Sequence, residues 1–90
     1  MIRRHVTVRN EAGLHARPSS ALVREAAKFE SEFTIEFMGY QVNGKSILGI
    51  MTLAAECGAE LILILDGPDE KEAADHLEAL FENKFNLDEP

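Results

Sequence analysis

Leu61-Ile62-Leu63-Ile64-Leu65 is apolar at both alternating parities, and the run of turn residues Asp66-Gly67-Pro68-Asp69 follows it at once. A strand with one wet face alternates apolar with polar. A strand apolar on both sides belongs at the centre of a sheet, covered on one face and largely screened on the other. Upstream, Phe33, Ile35 and Phe37 alternate with Thr34 and Glu36, which predicts a strand over 32–37 with one face inward. Met38-Gly39 makes a tight reversal, and residues 40–43 are expected to pair back antiparallel. Residues 2–9 read as another strand, with Ile2, Arg4, Val6 and Val8 at one parity and His5, Thr7 and Arg9 at the other. The loop Asn10-Glu11-Ala12-Gly13 leads into a helix over 16–29, with Pro18 tolerated in its first turn and Pro18, Leu22, Ala26 and Phe29 as its apolar stripe. Ser46 caps a short helix carrying Ile47, Leu48, Ile50, Met51, Leu53 and Ala54, which Gly58 is expected to end. Beyond the central strand, Pro68 and the acids around it mark a helix start. That helix runs from about 69 to 84 and buries Ala73, Leu77, Leu80 and Phe81, with the tail 86–90 expected to fray. The order is βαββαβα, an α+β chain.

Ninety residues make a single domain, 1–90, too short to hold separate cofactor and substrate domains. The net charge of −7 argues against non-specific binding of nucleic acid or a membrane surface. That charge is uneven: residues 1–49 hold seven Arg and Lys against five acids, whereas residues 50–90 hold two against eleven. A basic face would orient the molecule toward an acidic partner. Cys57 is the only cysteine, so no internal disulfide forms. Met1-Ile2-Arg3-Arg4-His5 turns polar too soon for a signal peptide, and no apolar run approaches the ~20 residues of a membrane span. The cytoplasm is the expected compartment.

The chemistry concentrates in Gly13-Leu14-His15-Ala16-Arg17-Pro18. A histidine immediately before a helix lies beside backbone N–H groups, here those of Ala16 and Arg17, that have no helical carbonyl to bond. Those donors and the positive helix end make an anion site next to the imidazole. Arg17 adds a guanidinium able to chelate phosphate oxygens, and Gly13 lets the loop turn and leaves the ring open to a partner. Each of these suits a histidine that carries a phosphoryl group transiently. A lone histidine at a helix start is more often a surface residue with a capping role, so spacing alone does not decide.

This segment resembles the active-site motif of HPr, the histidine-containing phosphocarrier family of the bacterial phosphoenolpyruvate-dependent sugar phosphotransferase system. Val42-Asn43-Gly44-Lys45-Ser46-Ile47-Leu48-Gly49-Ile50-Met51 resembles the family's second signature, at the expected distance. The resemblance implies an open-faced β-sandwich, with four antiparallel strands and three helices on one side. It implies that enzyme I, charged by phosphoenolpyruvate, phosphorylates His15 at Nδ1, and that His15 passes the group to enzyme IIA of a sugar permease. Arg17 would clamp the phosphate, and no cofactor or metal is implied. Arg24 and Lys28 on the first helix, together with Lys45, would meet an acidic partner surface, and Ile47, Leu48 and Met51 would form the apolar docking patch. The matching serine in many HPr proteins is phosphorylated by an ATP-dependent HPr serine kinase/phosphorylase, so Ser46 is a candidate regulatory site as well as a helix cap. Ser19-Ser20 stands where the family often has Ala-Thr, and Ala27 where it often has lysine. The resemblance implies a carrier acting as a substrate of partner enzymes rather than an enzyme, and a monomer. Some bacteria keep an HPr and its kinase without a permease, which leaves a regulatory phosphoprotein signalling nutrient state as the alternative.

Gly39-Tyr40-Gln41-Val42-Asn43-Gly44-Lys45-Ser46 also satisfies the P-loop pattern of NTP-binding enzymes. A P-loop follows a buried parallel strand, but residues 33–37 alternate like a half-exposed antiparallel one, and the chain lacks room for further crossover units. His5 and His76 read as surface residues without metal-ligand spacing to His15. Cys57 reads as a packing residue at a helix end, and the acids Asp66, Asp69, Glu70, Glu72 and Asp75 as a solvated helix start.

Overall fold

The computed structural model describes residues 1–87. Along the chain come β1 (Ile2–Thr7), α1 (Ala16–Ala26), β2 (Glu32–Phe37), β3 (Tyr40–Asn43), α2 (Ile47–Thr52), β4 (Glu60–Asp66) and α3 (Glu70–Glu82). The sheet order is β1-β4-β2-β3 with every pairing antiparallel, so the doubly apolar strand is central. Register sets Val6 opposite Leu61, Ile35 opposite Leu63, and Phe33 opposite Leu65. All six are buried in one core with Leu22 of α1, Ile50 of α2, and Leu77 and Phe81 of α3. This is the open-faced sandwich, with its helices on one side of the sheet. On the other side Ile62 lies between His5 and Glu36, and Ile64 between Arg3 and Thr34. Ile64 is only 7% exposed there, screened without a helix over it.

Arg4 has the inward parity of β1 yet lies on an edge strand. Its guanidinium reaches Asp75 and Glu78 of α3, each at 2.9 Å, so the cation turns the sheet edge into an anchor for that helix. Met38 (φ 51°) and Gly39 (φ 83°) are both left-handed, the conformation that a two-residue hairpin turn requires.

Several boundaries differ from expectation. β1 stops at Thr7, because Val8 exchanges its backbone bonds with Ala59 (2.9 Å) and Gly58 (2.8 Å), in the turn before β4. α1 ends at Ala26 instead of 29: Lys28 N–H bonds Glu25 C=O at 3.2 Å and Phe29 N–H bonds Ala26 C=O at 3.1 Å, tightening the last turn. Phe29 still packs on the core, with its ring 5.5 Å from that of His76. α2 is ended by Ala54 in a left-handed conformation (φ 51°), not by Gly58, which lies in the later turn beside the exposed Cys57. Cys57 therefore does not pack at a helix end.

The largest departure follows α3. Lys84, Phe85 and Asn86 have φ of 50°, 60° and 57°, a single left-handed turn built without glycine. Each such residue costs about 1–2 kcal/mol of backbone energy. Phe85 offsets part of this by burying its ring edge-on against Phe81, with centroids 4.8 Å apart. Leu87 rests half-buried on the core, so the tail is held through that residue, and Asp88, Glu89 and Pro90 lie outside the described residues.

Asp69 does more than begin a helix. Its carboxylate accepts the N–H of Glu30 (2.8 Å), the N–H of Ser31 (2.9 Å) and the Ser31 hydroxyl, closing the link from α1 to β2. The Ser31 hydroxyl first, and then the backbone donors, hold the Asp69 carboxyl below its ordinary value of 3.8. A depressed folded-state value means stability that is present above the ordinary value and lost as pH falls below it. Asp69→Asn is expected to lower Tm clearly at pH 7, and the gap from wild type should close as pH drops below about 4. Thermal unfolding between pH 3 and 7 checks this, and a gap that stays constant with pH would contradict it.

Candidate functional site

The loop before α1 is held from below by backbone. Gly13 N–H bonds Asn10 C=O and Leu14 N–H bonds Ala55 C=O, both at 2.9 Å. Gly13 has φ +76°, and an added Cβ would lie 2.5 Å from the Ala55 oxygen, so only glycine lets the loop lie against the segment after α2. Leu14 is buried in the core, and the next residue, His15, emerges half-exposed as the N-cap of α1. Its side chain makes no capping hydrogen bond. The Ser19 hydroxyl instead donates to Leu14 C=O at 3.1 Å, securing the first turn from inside.

The first backbone bond of α1 runs from Ser19 N–H to His15 C=O at 3.1 Å. The N–H groups of Ala16 and Arg17 therefore precede the helical ladder, on exposed residues, and Pro18 has no N–H to contribute. The arrangement is a nucleophile-bearing ring, two backbone donors and a guanidinium at one helix start. It suits a dianionic group attached to the ring nitrogen.

The other residues singled out from sequence lie along α1, on α2 and in the segments flanking them. Ser46 is the N-cap of α2, and its Oγ accepts from Gly49 N–H at 3.0 Å. On α2, Ile47 (41% exposed), Leu48 (75%) and Met51 (42%) face outward while Ile50 enters the core. The Leu14–Ala55 bond joins the end of this helical segment to the His15 loop, so the exposed apolar residues and the histidine belong to neighbouring elements. Arg24 is exposed in the last turn of α1. Lys28 is paired with Glu25 at 2.9 Å. Lys45 is half-buried, with its ammonium donating to Phe29 C=O at 2.8 Å in the segment that follows α1. Of the four basic residues, Arg17, Arg24 and Lys28 are exposed and Lys45 is half-buried.

His76 has a partner that sequence reading did not supply: its Nε2 lies 2.7 Å from the Glu25 carboxylate, joining α3 to α1. His76 and then Lys28 hold the Glu25 carboxyl below the usual carboxylate range. Asn10 was also missed. It is fully buried and its amide donates to Lys84 C=O at 3.2 Å. A signal existed: Asn10 continues the inward parity of Val6 and Val8, and a polar residue there needs a partner. The P-loop pattern dissolves in three dimensions. Tyr40–Asn43 is paired as β3, Gly44 N–H bonds Phe33 C=O at 2.8 Å, and a Cβ on Gly44 would run into the Phe33 ring. Among the described residues no group of three or more His, Cys, Asp or Glu is placed to hold a metal ion, and no helix is long and apolar enough to cross a membrane.

Comparison with known proteins agrees with this geometry. The family model described as "PTS HPr component phosphorylation site" matches residues 2–83. The phosphocarrier protein HPr of Treponema pallidum is 46% identical over 85 residues, spanning 94% of this chain and 97% of that protein. An HPr crystal structure from Thermoanaerobacter tengcongensis superposes with a TM-score of 0.93 at 39% identity, over 99% of this chain and all of that one. Crh of Bacillus subtilis, described as a catabolite repression protein whose crystal structure is a domain-swapped dimer, aligns with a TM-score of 0.73 at 42% identity, over 98% of this chain and all of that one. With sequence, topology and the histidine-bearing helix start in agreement, the chain belongs to the HPr family of phosphotransferase-system phosphocarriers.

Proposed function

We propose that His15 accepts a phosphoryl group from phosphorylated enzyme I and donates it to enzyme IIA of a sugar phosphotransferase system, so that the chain is a carrier and a substrate of its partner enzymes. The observation that carries this reading is the half-exposed His15 ring at the start of α1, next to the Ala16 and Arg17 N–H groups. In the forward step the lone pair of a ring nitrogen, Nδ1 in this family, attacks phosphorus as the bond to enzyme I breaks. The phosphoryl oxygens settle against the two N–H groups and the Arg17 guanidinium. Transfer to enzyme IIA reverses these roles. No cofactor takes part, and the expected setting is a cytoplasmic monomer. The test is incubation with enzyme I and phosphoenolpyruvate followed by mass analysis, with Arg17 variants in the same assay. Arg17→Lys is expected to slow transfer by replacing a bidentate fork with a point charge, and Arg17→Ala to slow it further. Wild-type rates in both would assign the clamp to backbone alone.

Partner docking is assigned to Arg17, Arg24, Lys28 and Lys45 around the apolar residues Ile47, Leu48 and Met51. Ser46 is the regulatory site. A phosphate there meets the start of α2 without disturbing the fold, and adds about two negative charges beside the apolar patch. Ser46→Asp is expected to raise the half-saturating concentration for enzyme I roughly tenfold, through repulsion and through desolvation of a carboxylate, with a smaller effect on the maximal rate. Added salt should recover part of the loss, because screening weakens only the repulsive share. Ser46→Ala should transfer normally and lose about 1 kcal/mol of stability with the Gly49 cap. Phosphotransfer at two ionic strengths decides; an unchanged half-saturation in Ser46→Asp would leave Ser46 as a cap alone.

A second reading, a regulatory phosphoprotein without sugar transport, draws on the similarity to a catabolite repression protein. The two readings part on the acceptor: a carrier loses its phosphate to an enzyme IIA of a sugar permease, and a purely regulatory protein does not.

A further inference from the structure

The left-handed turn after α3 lies far in sequence from His15 but is wired to its loop. Lys84 C=O accepts the buried Asn10 amide at 3.2 Å, and Asn10 C=O accepts Gly13 N–H at 2.9 Å. Gly13 makes the left-handed step that delivers Leu14 to the core and His15 to the surface. The loop is thus anchored to Ala55 C=O on one side and to the turn on the other, and the turn itself packs against α1. Three consecutive left-handed residues without glycine are an unfavourable way to end a helix, and they persist only where the surroundings hold them. Here Phe85 holds them from inside, buried against Phe81. The product of that geometry is a carbonyl aimed at Asn10.

We propose that the Lys84–Asn86 turn, acting through Asn10, is a positioning element for His15: it keeps the 10–14 loop in the one arrangement that presents the ring beside the Ala16 and Arg17 donors. The inference rests on the carrier reading above. The role assigned to Asn10 and the turn runs through the backbone of the loop. Their contribution is to the fraction of molecules whose ring is correctly placed when enzyme I arrives, and it therefore acts on the maximal rate rather than on docking. The docking residues lie on α1, on α2 and in the segments flanking them, and are unchanged.

Single-turnover transfer from pre-phosphorylated enzyme I separates the two quantities. Asn10→Ala, measured at a temperature where circular dichroism shows it folded, is expected to lose about tenfold in maximal rate with half-saturation within about twofold of wild type. Its His15 ring resonances are expected to broaden or double. Lys84 provides a second pair that leaves the core alone, since its side chain is exposed. Lys84→Val disfavours the left-handed backbone and Lys84→Gly permits it, so the glycine variant is expected to transfer several-fold faster than the valine variant. An unchanged maximal rate in folded Asn10→Ala, a change confined to half-saturation, or equal rates for the two Lys84 variants would overturn the inference. If Asn10→Ala does not fold, the Lys84 pair decides. A wild-type chain that takes no phosphate would overturn the carrier reading and this inference together, whereas an active wild type with indifferent variants overturns the inference alone.

Discussion

Incubated with enzyme I and phosphoenolpyruvate, the wild-type chain is expected to gain a single phosphate, acid-labile and base-stable as a phosphoramidate is, and the His15→Ala variant to gain none. The two other histidines make the experiment specific. His5 points from β1 to the face opposite the helices, and His76 is engaged with Glu25 across the α1–α3 contact. Neither stands at a helix start. His15→Ala should also keep its fold, because the His15 side chain makes no capping hydrogen bond to α1 and the ring is half-exposed. The residues that secure the loop, Leu14, Ser19 and Gly13, are all unchanged. The expected stability change is within about 1 kcal/mol, so loss of labelling would report chemistry and not unfolding. Label retained in His15→Ala, or mapped to His5 or His76 in the wild type, would refute the assignment.

Gly13→Ala should have the largest effect on stability. The new Cβ would stand 2.5 Å from Ala55 O and 3.0 Å from Glu56 Cα, both backbone atoms that cannot rotate aside. The backbone there is left-handed, at φ +76°. Conformational cost and clash together put the loss at about 2–4 kcal/mol, and for a domain of this size Tm falls by about 10–25 °C. Gly58→Ala isolates the second part. Gly58 has φ +92° but nothing within 4 Å of its would-be Cβ, so its loss is confined to about 1 kcal/mol of conformational cost. Equal losses in the two variants would mean that the loop does not press on Ala55 in solution. The surviving folded fraction of Gly13→Ala should also transfer phosphate slowly, since the bond from Leu14 to Ala55 is the one the clash strains first.

Strand content was legible in sequence because side-chain parity reports burial directly. Residues 61–65 announced the central strand, and 33–37 its half-exposed neighbour. The helix start at His15 was legible because it is local: the ring, the backbone N–H groups and Arg17 belong to three consecutive residues. What escaped was set by partners distant in sequence. The role of Asp69 depends on Glu30 and Ser31, the pairing of His76 on Glu25, and the burial of Asn10 on Lys84. Helix ends were misplaced for a related reason. Ala54, Lys84, Phe85 and Asn86 take left-handed conformations that their own preferences oppose, and only the packing around them makes those conformations hold. Lys45 shows the same limit in charge: its number places it on a basic face, but its ammonium is engaged with the Phe29 carbonyl.

The place of β4 has a consequence for how the molecule comes into being on the ribosome. Among the described residues β4 follows the other three strands along the chain, yet it is the bridge between β1 on one side and the β2–β3 hairpin on the other. Until residue 66 has left the exit tunnel, the nascent chain has two strand groups with exposed edges and no sheet joining them. The histidine loop is equally unfinished, since its anchors at Ala55 and Lys84 are made late. A released fragment lacking residues 60–87 would therefore contain all of Gly13–Pro18 and still lack the Lys84 anchor of the loop before it. Until those residues are made the nascent chain carries unpaired strand edges, and the His15 loop takes its described arrangement only when residues 60–87 have joined it.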